Sequence, residues 1–170
     1  MMFNRRVSKC HPRVEAYGSV DELNAALGMA RASAEAPFIR ENLLAIQKDL
    51  VTVMGELATL VEDLQRYVEK KFTLVSPALT QKLDGLVQEL EAKKISFDGW
   101  ATPGDNVLSA ALDVARTTCR RAERRVCALH EMDQLRNPEI IIYLNRLSDV
   151  LWLMARWVET RRSGGGETLV

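Results

Sequence analysis

The 170-residue chain has the length of one domain, and its 47% hydrophobic and 27% charged residues are those of a globular protein that buries its own core. Its 23 basic and 23 acidic residues cancel, so bulk charge gives no reason to bind nucleic acid or a membrane surface. An odd set of three cysteines without CxxC spacing, no run of ~18 apolar residues and no signal-like apolar start together predict a cytoplasmic protein without disulfides or membrane spans.

The first helical stripe is Ala16, Val20, Leu23, Leu27 and Ala30, in steps of four and three, after His11-Pro12. Ala36-Pro37 then opens a second, through Leu43, Ile46, Leu50, Val53, Leu57, Leu60 and Leu64. Ser76-Pro77 opens a third (Leu79, Leu83, Leu86, Leu90), with Pro77 at a first helical position. Pro103-Gly104-Asp105-Asn106 precedes a fourth, from Leu108 through Leu112, Ala115, Cys119, Ala122 and Val126 to Leu129, capped by Asp105 or Asn106. Asn137 caps a fifth, from Ile140 through Leu144, Leu147, Leu151 and Met154 to Val158. The predicted helices are 13–34, 38–70, 77–94, 106–131 and 138–162, and the longer ones reach roughly 37–50 Å at 1.5 Å per residue. Such helices pack side by side, so the expected fold is an all-α five-helix bundle over 13–162, after an N-terminal segment 1–12 and before a flexible tail 163–170.

Three places concentrate polar residues. The fourth helix carries Arg116, Arg120, Arg121, Arg124 and Arg125, with Glu123 the one acid among them. Guanidinium forks match phosphate oxygens, so one reading is polyanion binding; the other is a basic face paired with acids of neighbouring helices. The fifth helix has Asn145, Asp149 and Arg156 along one edge, beside Arg146 and Ser148, which is either a polar network between helices or subunits, or a ligand-facing amide and carboxylate. The first helix has Tyr17, Asp21, Asn24 and Gly28 on one edge; Asp21 can reach an arginine of the fourth helix, while Glu22 is expected to face solvent. Trp100 lies in a Gly- and Pro-bearing loop, as an anchor on the bundle end or as a lid. His11 and His130 have no partnered spacing, so neither a metal site nor a nucleophilic triad is predicted.

Three stretches in this order, RVEAYGSVDELN (13–24), ARTTCRRAER (115–124) and YLNRLSD (143–149), resemble the PduO-type ATP:cob(I)alamin adenosyltransferases, over about Arg6 to Trp157. The resemblance implies a five-helix bundle that assembles as a homotrimer with active sites between subunits. It implies attack of Co(I) of cob(I)alamin on the 5′ carbon of ATP, with Mg²⁺ accompanying the nucleotide and adenosylcobalamin and triphosphate as products. An adenosylcobalamin-dependent enzyme would accept the product. By matching positions, Lys9, Arg120, Arg121, Glu123, Arg124 and Asn145 would contact ATP. Asp21 and Arg116 match a salt bridge across the subunit interface near the corrin, and Trp100 matches an aromatic against the corrin's lower face. Arg120, Asp21 and Arg116 are the implied catalytic set.

The sequence departs from the family pattern in three places. The Thr- and Gly-rich triphosphate cradle of the family is not found before Lys9, Asp105 stands where the family has a loop glycine, and Asp113 stands where a histidine is common. Two expectations follow: an active transferase, or a catalytically weakened homologue that acts as a corrinoid-binding carrier.

Overall fold

The computed structural model describes residues 1–93, 95 and 101–163. Its α-helices are α1 (Pro12–Ser33), α2 (Pro37–Leu57), α3 (Leu64–Glu69), α4 (Pro77–Glu91), α5 (Val107–Glu131) and α6 (Glu139–Ser163), with no strand among the described residues. All but α3 are 15 residues or longer and form the expected all-α five-helix bundle. Neighbours in space run α2, α1, α5, α6, α4. α5 therefore packs on α1 along one side and on α6 along the other, and keeps one outward face.

Local chemistry starts these helices where the sequence places them. Proline occupies the first turn of α1, α2 and α4, where its missing N–H costs no helical bond. The His11 ring accepts from Arg13 N at 3.1 Å. Asn106, not Asp105, caps α5: its Oδ1 accepts from Ser109 N at 2.9 Å, and Ser109 Oγ accepts from Asn106 N at 3.3 Å. Asn137 Oδ1 accepts from Glu139 N at the start of α6. The stripes then become the core: Ala16, Val20, Leu23, Leu27 and Ala30 of α1, and Leu112, Ala115, Cys119, Ala122, Val126 and Leu129 of α5, are wholly buried. Each such leucine contributes about 1.5–3 kcal/mol.

The predicted helix 38–70 is not continuous. α2 ends at Leu57, a 3₁₀ turn spans Val61–Asp63, and α3 is a separate short helix. Tertiary contacts break it. The Glu56 carboxylate is buried and accepts from Val75 N at 2.7 Å and from Asn137 Nδ2 at 2.8 Å. Arg13, 2% exposed, donates Nη1 to Leu57 O (3.0 Å) and Thr59 O (2.9 Å), and Nη2 to Gln134 O. Those carbonyls are the open end of α2 and the turn after α5, where helix C-termini leave acceptors unpaired. One cation thus fastens the start of α1 to two other helix ends. The third predicted helix ends at Glu91, three residues before its expected limit.

Candidate functional site

The arginine-bearing helix is fixed by its opposite, apolar side. With that side buried, the 116–125 arginines must project from the flanks and the outward face. Their partners separate them. Arg121 pairs with Glu22 and Arg125 with Glu15 (3.2 Å), so the flank toward α1 is neutralised by α1 acids. Glu22, expected in solvent, is still more than half exposed but meets Arg121 there. Arg116 Nε donates to Asp113 Oδ1 at 2.9 Å within α5. Arg120 and Arg124, one turn apart, are exposed and have no ion pair among the described residues. Of the two readings of this cluster, pairing with neighbouring acids accounts for Arg121 and Arg125, and two guanidinium groups remain open to an external anion.

Toward α6, Asn145 Nδ2 donates to Glu123 Oε1 at 2.9 Å. This amide and this carboxylate, both named from the sequence, sit together beside Arg120 and Arg124 on adjoining turns of α5. Arg146 pairs with Asp84 of α4 at 2.7 Å and with Asp149 at 3.3 Å, so it serves helix packing. Asp21 is exposed on α1, and no ion pair joins it to Arg116 within the chain. Lys9 is exposed just before α1, at the pole where Glu15 of the first turn meets Arg125. Trp100 lies outside the described residues, in the connection between α4 and α5.

A buried charge network lies along the α5–α6 seam. Asp113 Oδ2 accepts from Arg156 Nη2 at 2.6 Å, and the same nitrogen donates to Glu159 Oε1 at 3.0 Å. The sequence marks Asp113 as a departure and Arg156 as an edge residue but does not join them. The spacing of Asp113 and Arg116 by three is the available local signal. The link to Arg156 depends on the antiparallel register of α5 and α6, which no local pattern carries. Cys119 is not a nucleophile: its thiol is buried, donates to Leu144 O at 3.2 Å, and burial pushes its pKa up. Among the described residues no three His, Cys, Asp or Glu are grouped to hold a metal ion, and no helix is long and apolar enough to cross a membrane.

Comparison with known proteins identifies the family. The family model for cobalamin adenosyltransferase matches residues 1–158. A corrinoid adenosyltransferase of Citrobacter freundii is 39% identical over 155 residues, 91% of this chain and 85% of its own length. The corrinoid adenosyltransferase PduO of Salmonella typhimurium is 38% identical over 152 residues, 89% of this chain; the chain spans 44% of that relative's length. Among solved structures, a variant PduO-type ATP:corrinoid adenosyltransferase from Lactobacillus reuteri, complexed with cobalamin and ATP, superposes with a TM-score of 0.82 at 31% identity, over 92% of this chain and 83% of its own. With the family model matching residues 1–158 and the helical bundle shared with that solved structure, the chain belongs to the cobalamin adenosyltransferase family.

Proposed function

We propose that this protein transfers the 5′-deoxyadenosyl group of ATP to cob(I)alamin, at sites formed between the subunits of a homotrimer. The observation that carries this reading is the pair Arg120 and Arg124, open and unneutralised on α5, beside the Asn145–Glu123 pair.

The chemistry asks little else of the chain. The Co(I) electron pair forms the bond to the 5′ carbon, the carbon–oxygen bond breaks, and its electrons leave with triphosphate. The cobalt is the nucleophile, so no protein base is needed, which fits the inert Cys119. The protein holds ATP in line and stabilises the charge growing on the leaving group. Arg120 and Arg124 take the triphosphate. Lys9 and Arg121 add positive charge, Arg121 by sharing its guanidinium with Glu22. Glu123 and Asn145 act as one hydrogen-bonding unit toward the nucleoside. Mg²⁺ enters on the phosphates of ATP.

Asp21 and Arg116 are assigned to a salt bridge between subunits beside the corrin, and Trp100 to the corrin's lower face. Exposed apolar side chains support a trimer: Met29 of α1, Val107 and Val114 of α5 and Ile142 of α6 all lie on the helices that carry the site. The product would pass to an adenosylcobalamin-dependent enzyme in the cytoplasm.

The test is an anaerobic assay with reduced cobalamin and ATP, followed by the spectral change to adenosylcobalamin and by released triphosphate. Both products in equal amounts are expected. Tight corrinoid binding without either product would select the carrier reading.

A further inference from the structure

We propose that Asp113, held by Arg156, is a positioning residue that fixes how Arg116 faces out of the bundle; this rests on the adenosyltransferase reading above. An arginine on a helix surface samples many rotamers, and ordering one costs side-chain entropy. Here that entropy is lost in the fold. One oxygen of Asp113 holds the Nε edge of Arg116 at 2.9 Å, and the other is held by Arg156 Nη2 at 2.6 Å. Asp113 cannot swing with Arg116, because its second oxygen is tied to another helix. The side chains of Asp113 and Arg156 are each 5% exposed, whereas that of Arg116 is 25% exposed. The anchor is therefore dry and the anchored group reaches the surface.

Charge supports the same assignment. The Asp113 carboxylate stands between the guanidinium groups of Arg116 and Arg156, and Arg156 also donates to Glu159, so the buried Asp113–Arg156 pair is not left as an uncompensated charge. With Nε occupied, the two terminal nitrogens of Arg116 have no hydrogen bond from this chain among the described residues. They form a preset fork for an acid arriving from outside, such as Asp21 of the partner subunit. Preorganisation of this kind raises turnover more than nucleotide affinity.

The experiment is a double-mutant cycle in the full chain, with Asp113→Asn and Arg116→Ala singly and together, reading kcat and the KM for each substrate. Asp113→Asn should lower kcat at least tenfold and change the KM for ATP less than twofold. On the Arg116→Ala background it should change kcat less than twofold. A kcat loss of equal size with and without Arg116 would overturn the proposal. Should Asp113→Asn fail to fold, Asp113→Glu, which keeps the charge but displaces the carboxylate, carries the same cycle with the same two outcomes. A second readout needs no turnover: hydrogen exchange at Arg116 Nε should be slow in the wild type and at least tenfold faster in Asp113→Glu. Fast exchange in the wild type contradicts the proposal even in an active enzyme. Slow exchange in a wild type that makes no product would instead count against the proposed reaction and leave the positioning intact.

Discussion

At the scale of residues, pairing decides which charges can work. Five arginines on one helix read alike in sequence, but once the fold is formed Arg116, Arg121 and Arg125 are in ion pairs, and Arg120 and Arg124 have none among the described residues. Each charged hydrogen bond to phosphate is worth about 1.5–3 kcal/mol, so Arg120→Ala should lower kcat/KM for ATP on the order of tenfold to a hundredfold. Its melting temperature should stay close to that of the wild type, because truncating an exposed, unpaired arginine costs little stability. Steady-state kinetics with a thermal melt checks both; unfolding instead of lost activity would make Arg120 structural. Glu56 is a contrasting case. Burial holds its carboxyl above the ordinary value of 4.5, so the folded chain keeps a proton that the unfolded chain has released. Its contribution to stability therefore falls as pH rises from there through the folded pKa. Glu56→Gln removes that titration, so the variant's unfolding free energy should gain on the wild type with rising pH. Urea unfolding between about pH 4.5 and 7 measures the difference; a constant gap would contradict the assignment. The motifs make Arg120, Glu123 and Asn145 legible as a set. The pairings of Glu22, Asp113 and Arg156 are not legible, because each joins residues more than forty apart or depends on which helices pack together.

At the scale of elements, the three-four stripes foretell the long helices, and their prolines and asparagines mark the starts, since both are local signals. The break after Leu57 has no such signal. Leu57, Leu60 and Leu64 keep helical spacing across it, while the forces that end α2 come from Arg13, Val75 and Asn137 elsewhere in the chain. Gly55 belongs to the same arrangement. A Cβ there would meet the Tyr67 hydroxyl at 2.7 Å, so the glycine lets α3 fold back onto the last turn of α2. Gly85 of α4, by contrast, has open space where a Cβ would stand, with nothing within 4 Å. Gly55→Ala should thus lose about 1 kcal/mol despite its better helix propensity, and Gly85→Ala should gain about 0.5–1 kcal/mol. Parallel denaturation curves check this pair, and a gain at both positions would mean that Tyr67 yields freely.

At the scale of the whole molecule, a single chain leaves its most informative groups facing outward. Asp21, Arg120 and Arg124 are exposed on helices that also expose Met29, Val107 and Val114. That is the surface expected of a site completed by a second copy. Mixing two inactive variants tests it most directly. Asp21→Asn and Arg120→Ala subunits, each with little activity alone, are unfolded together and refolded at equal amounts. If every site takes Asp21 from one subunit and Arg120 from its neighbour, about a quarter of the sites regain both native residues, and adenosylcobalamin formation recovers in proportion. Activity that stays at the level of the separate variants, in mixed trimers shown to have formed, would contradict an active site shared between subunits.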